Sequence, residues 1–145
     1  MALPDRIERT LELPHPPERV WAALTTAEGL GTWFGHRAEV DLRVGGKIFL
    51  AWDSGDTAEL TVERVEAPRV FGYTWAISGL PAGDPRRTRV VFTVEPAGSG
   101  AVLAVVETGF GQVEDAGAHE TAYGGNVQGW KSELGELAGY LDGRS

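Results

Sequence analysis

The chain has 145 residues, enough for one domain with a substantial core, and we expect a single domain over residues 1–145. Its net charge of −8 argues against binding to nucleic acid or to anionic membranes, because both need a basic surface. The sequence has no cysteine, which excludes disulfides and cysteine-ligated metal sites. The first ten residues lack the apolar stretch of a secretory signal, so we expect a cytoplasmic protein.

The first forty residues carry the patterns of one strand and two short helices. Ile7 to Leu13 alternates between apolar and polar residues, as a half-buried strand does. Pro17 suits the first turn of a helix, since proline is tolerated there. Thr26 suits the N-cap of a second helix that runs to Phe34.

The middle of the chain carries the pattern of antiparallel strands joined by turns. Val40 to Leu50 resembles a hairpin with a tight turn at Gly45 and Gly46. The alternation of the next strand breaks at Val65, which predicts a β-bulge there. We expect a loop over residues 79–85. Three later strands have apolar residues at every second position, namely Phe71, Tyr73, Trp75, Val90, Phe92, Val94, Leu103 and Val105.

The last part of the chain, from about Ala118 to Leu141, predicts one long amphipathic helix. The residues of its apolar face recur every three or four positions and are His119, Tyr123, Val127, Trp130, Leu134, Leu137 and Leu141. The helix must cover the apolar face of the sheet, because neither can remain exposed to water. The sequence therefore predicts an α+β fold with six to seven antiparallel strands around this helix, and a hollow where helix and sheet diverge.

No motif indicates a metal site, a nucleotide site or a catalytic triad. The three histidines, His15, His36 and His119, have no second ligand at metal-binding spacing. Gly45–Gly46–Lys47 lacks the other residues of a phosphate-binding loop. We therefore predict neither a metal nor a cofactor.

Two charged residues, Arg9 and Glu107, stand on the apolar faces of their strands. A buried carboxylate is normally paired or protonated, because an isolated charge is costly away from water. If the first and last strands are antiparallel neighbours, the two residues lie nearly opposite each other and can form a structural ion pair. Alternatively, Glu107 anchors a ligand or acts as a general base, or Arg9 reaches solvent at the end of its strand.

Large aromatic residues at inward positions indicate either core packing or the wall of a pocket for a small apolar molecule. If there is a pocket, Glu107 is its polar anchor. The residues predicted to bind a ligand are Trp33, Trp52, Tyr73, Trp75, Glu107, Tyr123, Val127 and Trp130.

A set of segments stands in a fixed order along nearly the whole chain, from Ile7 to about Leu141. The segments are PPERVWAALTTAEGLGTWFG at residues 16–35, DLRVGGKI at residues 41–48, Ala67–Pro68–Arg69 followed by Tyr73–Thr74–Trp75, and Gly129–Trp130. Together they resemble the START-like (SRPBCC) superfamily, in particular its branch of activator of Hsp90 ATPase homologue 1-like (AHSA1-like) proteins.

The resemblance implies a helix-grip (Bet v 1-like) fold, with a curved antiparallel sheet around the long C-terminal helix and two short helices after the first strand. It also implies a cavity between helix and sheet, which in many relatives holds small hydrophobic or amphipathic molecules. Some relatives are polyketide cyclases, and the eukaryotic namesake stimulates the ATPase of a chaperone.

We therefore expect a binding protein for a small apolar ligand. One alternative is regulation of an Hsp90-type chaperone through protein contact, and another is a cyclase-like enzyme with Glu107 as general base. The protein can be a monomer or a homodimer, since an exposed edge strand is able to pair with a second copy.

Overall fold

A computed structural model describes residues 5–81 and 83–143, which form one seven-stranded sheet and its covering helices. Every pair of neighbouring strands is antiparallel, and the strand order is β1-β7-β6-β5-β4-β3-β2. The strands are β1 (Arg6–Leu13), β2 (Arg37–Val40), β3 (Lys47–Ala51), β4 (Thr57–Glu66), β5 (Val70–Ala76), β6 (Arg87–Ala97) and β7 (Gly100–Thr108). Residue 82, in the predicted loop over residues 79–85, lies outside the described residues.

The helical elements lie before β2 and after β7. They are α1 (Pro17–Thr25), α2 (Ala27–Gly29), a π-helical turn (Leu30–Phe34), a 3-10 turn (Phe110–Gln112) and the long α3 (Ala116–Leu141). In the described part of the chain, no helix combines the length and the apolar character needed to cross a bilayer. The α+β helix-grip architecture expected from the sequence is confirmed.

The inner face of the sheet is an apolar surface with one charged residue in it. A row of in-register neighbours crosses five strands through Ile7, Glu107, Val90, Tyr73 and Val62. All five side chains are buried. The strand patterns therefore place Glu107 in the middle of the core, where only hydrogen bonds from the protein can replace water.

The segment after β1 follows the predicted pattern and brings the π-helical turn toward α3. Helix α1 begins at Pro17, and the Oγ1 atom of Thr26 caps α2 by accepting a hydrogen bond from the Gly29 amide at 3.0 Å. A Cβ atom at Gly29 would lie 2.6 Å from the carbonyl oxygen of Ala23. Only glycine therefore fits where α2 turns back against α1.

One local prediction is confirmed by the structure and another is corrected. The register of β4 shifts between Val62 and Arg64, so the predicted bulge lies directly before Val65. Val62 and Val65 both face the interior although they are three residues apart, and the extra residue between them makes this geometrically feasible. The connection between β2 and β3 takes residues 41–46 instead of a two-residue turn, and Gly45 adopts a φ of 86° there.

Candidate functional site

Glu107 is completely buried, and both of its carboxylate oxygens accept hydrogen bonds. Nε1 of Trp130 donates to Oε1 at 2.8 Å, and Nε1 of Trp75 donates to Oε2 at 2.8 Å. Oγ1 of Thr88 donates to Oε2 at 2.5 Å. Nδ2 of Asn126 lies 2.9 Å from Oε1 and 3.1 Å from Oε2. The carboxylate therefore joins β5, β6, β7 and α3 at one point of an otherwise apolar core.

The predicted ion pair between Arg9 and Glu107 is not formed. Arg9 lies opposite Val105, and its Nη1 atom donates to the backbone oxygen of Glu8 at 2.8 Å, whereas Glu107 lies opposite Ile7. Because β1 is an edge strand, the long side chain of Arg9 extends into water, where a guanidinium is better solvated than in the core. The oxygens of Glu107 accept hydrogen bonds from neutral donors instead.

The hydrogen bonds of Glu107 also bear on its predicted role as a general base. A carboxylate has about four lone-pair positions, and these already accept hydrogen bonds from four side chains. A catalytic base needs a free lone pair that faces the substrate. The geometry favours a structural role, in which Glu107 orients Trp75, Trp130 and Asn126.

Four aromatic rings from separate elements meet beside the middle of α3. The ring of Phe34 lies 5.8 Å from that of Trp75 and 5.9 Å from that of Trp130, measured between centroids. The rings of Trp75 and Trp130 are 5.8 Å apart, and Trp52 meets Phe34 edge-on at 6.3 Å. Nε1 of Trp52 donates to the Phe34 carbonyl oxygen at 2.9 Å, so all three indole N–H groups are used within the protein.

A hollow of about 180 Å³ lies against this ring cluster. Its lining consists of Phe34, Trp52, Trp75, Asn126, Gly129, Trp130 and Glu133. A Cβ atom at Gly129 would have no neighbour within 4 Å, so the missing side chain leaves this space open. A cavity of about 150 Å³ lined by apolar side chains holds a benzene molecule, so one small ring fits here.

Glu133 is the ionisable residue in this lining. Its Oε2 atom is buried and has no hydrogen-bond partner among the described residues. Burial, together with the smaller effect of the negative charge of Glu136, raises the pKa of Glu133 to about 7. The buried hydroxyl of Tyr73 also lacks a partner among these residues. Burial raises the pKa of Tyr73 well above its ordinary value, and the charges of Glu107 and Glu133 add to this.

A larger groove of about 530 Å³ adjoins the hollow, because Trp52, Trp75 and Asn126 line both. Its remaining wall is mostly polar. Lys47 in that wall donates to Oγ1 of Thr61 at 2.7 Å and lies 3.4 Å from a carboxylate oxygen of Glu59. The hollow and the groove therefore form an apolar recess with a polar entrance region.

The structure brings together some of the residues that the sequence singled out as ligand-binding. Those that line the hollow are Trp52, Trp75 and Trp130. The other five, which are not in its lining, are Trp33, Tyr73, Glu107, Tyr123 and Val127. Inward orientation alone does not distinguish the two groups, since core side chains and pocket side chains have the same alternation.

Trp33 and Tyr123 have clear packing roles away from the hollow. Trp33 is buried, stacks on Phe34, and donates from Nε1 to the Ala23 carbonyl oxygen at 2.7 Å. The hydroxyl of Tyr123 donates to the backbone oxygen of Arg6 at 2.9 Å. These contacts attach the π-helical turn to α1 and attach α3 to β1.

Sequence reasoning missed Asn126, Gly129 and Glu133. A signal for them was present, because Asn126 and Glu133 stand four residues before and three residues after Trp130 on α3 and so share its helical face. Polar residues beside the apolar face of an amphipathic helix are normally solvated, and this is why the pattern did not mark them.

A third groove, of about 860 Å³, lies between α2 and strands β2 to β4. Phe49 in its wall is 46% exposed. Leu42 and Val44, in the connection between β2 and β3, are 36% and 70% exposed. We call these three residues the hairpin patch, which lies on β3 and on the connection between β2 and β3.

The family model described as Activator of Hsp90 ATPase homolog 1-like protein matches residues 14–142. That range contains every strand and helix from α1 to α3, including all the residues that line the hollow. No curated protein matches the chain.

Solved structures share the fold at modest sequence identity. Protein MLL2253 from Mesorhizobium loti is 26% identical, with a TM-score of 0.81 over 97% of this chain and 98% of that one. The Aha1 dimer from Colwellia psychrerythraea is 20% identical, with a TM-score of 0.72 over 94% and 95%. DynU16, a putative protein in the dynemicin biosynthetic locus, is 21% identical, with a TM-score of 0.79. The match covers 97% of this chain and 48% of DynU16, so this chain spans about half the length of DynU16.

Proposed function

The chain belongs to the family of activator of Hsp90 ATPase homologue 1-like proteins, and within that family we propose that it binds a small, largely apolar molecule between α3 and the sheet. The observation that carries this proposal is the aromatic-walled hollow of about 180 Å³ beside Gly129. Pockets for small molecules combine apolar and aromatic walls with a few polar groups, and this lining has that composition.

The size of the hollow limits the ligand. Pockets for drug-sized molecules have volumes of about 300–1,000 Å³, so the hollow by itself is too small for one. The adjoining groove of about 530 Å³ offers room for a further, more polar part. An amphipathic molecule with one small apolar group in the hollow and a polar part in the groove fits both spaces.

The hydrogen bonds of Glu107 support binding rather than catalysis. They hold Trp75, Trp130 and Asn126 in place before a ligand arrives, and such preorganisation reduces the entropy lost on binding. The cyclase-like alternative, with Glu107 as general base, has no support in this geometry, because both oxygens already accept hydrogen bonds.

The test fills the hollow without disturbing the fold. Gly129→Leu places a side chain in the open space, and Gly135→Leu on the exposed side of α3 is the matched control, since a Cβ atom at either position has no neighbour within 4 Å. Both substitutions raise helix propensity by a similar amount, about 1 kcal/mol. Binding of small aromatic probes such as indole is measured by titration with NMR detection.

We expect indole to bind the wild type and Gly135→Leu equally, and to bind Gly129→Leu at least tenfold more weakly. Native mass spectrometry of the freshly purified protein is the complementary measurement, because it detects a ligand that remains bound from the cell. Equal binding to the two leucine variants, or no binding of apolar probes to the wild type, would contradict the proposal.

Chaperone regulation is a second candidate, favoured by the hairpin patch. Exposed large apolar side chains in a cluster are typical of a protein-contact surface. We expect Val44→Asp to abolish any stimulation of an Hsp90-type ATPase, because it places a charge in the hairpin patch. The control is Gly129→Leu, which should leave stimulation unchanged. No change in ATPase rate at saturating wild-type protein would remove this candidate.

The same patch allows a homodimer, because it adjoins β2 at one edge of the sheet. Sedimentation of the wild type and of Val44→Asp measures this directly. A dimer through the patch should dissociate in the variant, whereas a dimer through β1 at the opposite edge should persist.

A further inference from the structure

The walls of the hollow offer ring surfaces but no indole donors. The N–H groups of Trp52, Trp75 and Trp130 all donate to acceptors within the protein. What these residues and Phe34 present to a ligand is therefore their π-systems, whose faces carry negative electrostatic potential. A cation within about 6 Å of such a face is attracted by it, most strongly when water is excluded.

The charged residue of the lining, Glu133, is acidic, so its charge has the same negative sign as the potential at the ring faces. Oε2 of Glu133 is a buried acceptor without a donor among the described residues. The hollow's lining contains no lysine, arginine or histidine to pair with it. The ionisable group that influences it is also acidic, since Glu136 on the same helix raises the pKa of Glu133.

The cations of the adjoining groove are already engaged. Lys47 contacts Thr61 and Glu59. Nη1 of Arg87 donates to the backbone oxygens of Asp84 and Arg86 at 2.6 and 2.9 Å. Neither side chain is placed by these contacts to neutralise Glu133. Electrostatic complementarity must come from the ligand.

We propose that the hollow binds a small organic cation, an amine or quaternary ammonium group on a short apolar body, between the faces of the aromatic rings and the carboxylate of Glu133. This inference rests on the proposed function and specifies the ligand's chemical class. The cation supplies the positive charge that the lining lacks beside the Glu133 carboxylate, and its apolar substituents contact the rings. The raised pKa of Glu133 agrees with an acidic group that is costly to ionise until such a ligand arrives.

The test compares two probes of the same shape. Choline carries a trimethylammonium group, and 3,3-dimethylbutan-1-ol replaces its charged nitrogen with carbon. Both are titrated by NMR at pH 8, above the pKa of about 7, so that Glu133 is ionised in the free protein. We expect choline to bind the wild type at least tenfold more tightly than its neutral isostere.

Two glutamine variants assign the preference to Glu133. Glu133→Gln removes the charge and keeps the shape, so it should lose most of the tenfold preference while the neutral isostere binds as before. Glu136→Gln is the matched control, because it removes the same charge from an exposed position on the same helix. It should keep the preference.

The outcomes separate this inference from the proposed function. If choline and its isostere bind equally, or if Glu133→Gln keeps the preference, the cation assignment is wrong and the apolar pocket stands. If the neutral isostere binds and choline does not, the assignment is also wrong. If neither probe nor indole binds the wild type, both the assignment and the proposed function fail.

Discussion

Glu107 and Glu133 lie on facing elements of the same interior, and their environments differ in one respect. Glu107 accepts hydrogen bonds at both oxygens from four neutral side chains. Glu133, about one helical turn beyond Trp130 and two turns beyond Asn126, has a buried oxygen with no partner in the described part of the chain. The protein supplies hydrogen bonds to both oxygens of Glu107, whereas no described residue donates to Oε2 of Glu133.

In this protein, hydrogen bonding separates buried polar groups with a structural role from buried polar groups that are candidates for a site. A fully hydrogen-bonded buried group specifies the packing around it, because each donor loses its partner if the packing changes. A partnerless group costs stability, and proteins retain such groups mainly at functional sites. Burial depth would have ranked the two residues in the wrong order, since Glu107 is the more deeply buried.

The largest expected effect follows from removing the satisfied carboxylate. Glu107→Ala leaves the donors of Trp75, Thr88, Asn126 and Trp130 without their acceptor. We expect a loss of about 4 kcal/mol in the free energy of unfolding, because each unpaired buried donor costs about 1–3 kcal/mol and the interior relaxes in part. Urea denaturation measures this. Glu12→Ala, at an exposed position of β1, should change stability by less than about 0.5 kcal/mol. A loss below about 1 kcal/mol for Glu107→Ala would contradict the structural role.

A smaller effect is expected when one donor to Glu107 is deleted. Thr88→Val keeps the shape of the side chain and removes the hydroxyl that donates to Oε2. We expect a loss of about 2 kcal/mol, typical of a buried hydrogen bond to a charged group. Thr93→Val, at a half-buried position of the same strand, is the matched control. Equal effects of the two substitutions would mean that the hydrogen bond is not important.

The unsatisfied carboxylate should show itself in the pH dependence of stability. Its pKa is raised from 4.5 to about 7, so between these values the folded protein holds a proton that the unfolded chain has released. The contribution of Glu133 to stability therefore falls as pH rises from about 4.5 to about 7 and is constant above that. The stability of Glu133→Gln should rise relative to that of the wild type over this window, because glutamine has no proton to release. Urea midpoints at pH 5 and pH 8 test it, and a difference independent of pH would contradict it.

The smallest effect is expected at Tyr73, whose buried hydroxyl also lacks a partner among the described residues. Tyr73→Phe removes that hydroxyl and keeps the ring contacts with Phe71, Trp75 and Phe92. Stability should stay within about 0.5 kcal/mol of the wild type or rise, because no protein hydrogen bond is lost. Thermal and urea unfolding measure it. A loss above about 1.5 kcal/mol would show that the hydroxyl is satisfied.

Much of the fold could be predicted because its signals are local. The three- and four-residue recurrence along α3 and the alternation along β7 depend only on neighbours in the chain, and both elements formed as expected. The capping role of Thr26 is local as well. The bulge in β4 had a local signal too, because its register shift directly precedes Val65, where the alternation breaks.

The site was predicted less well because its chemistry is not local. The alternation of β7 correctly turned Glu107 toward the interior. Its partners come from β5, β6 and α3, so a pairwise guess with Arg9 could not anticipate them. The helical spacing of Glu133 from Trp130 was too weak a signal, since a glutamate near the edge of an amphipathic face is solvated in most helices.

The sequence by itself determined the order of the elements, the face of each that turns inward, and the presence of one carboxylate in the core. Local periodicity and turn chemistry are enough for these, because they require no knowledge of distant residues. Only the tertiary structure decided which buried carboxylate is satisfied and where a hollow remains. Both depend on how side chains from separate elements fill a shared space, and the missing side chain of Gly129 matters only because the rings of Phe34, Trp75 and Trp130 do not close over it.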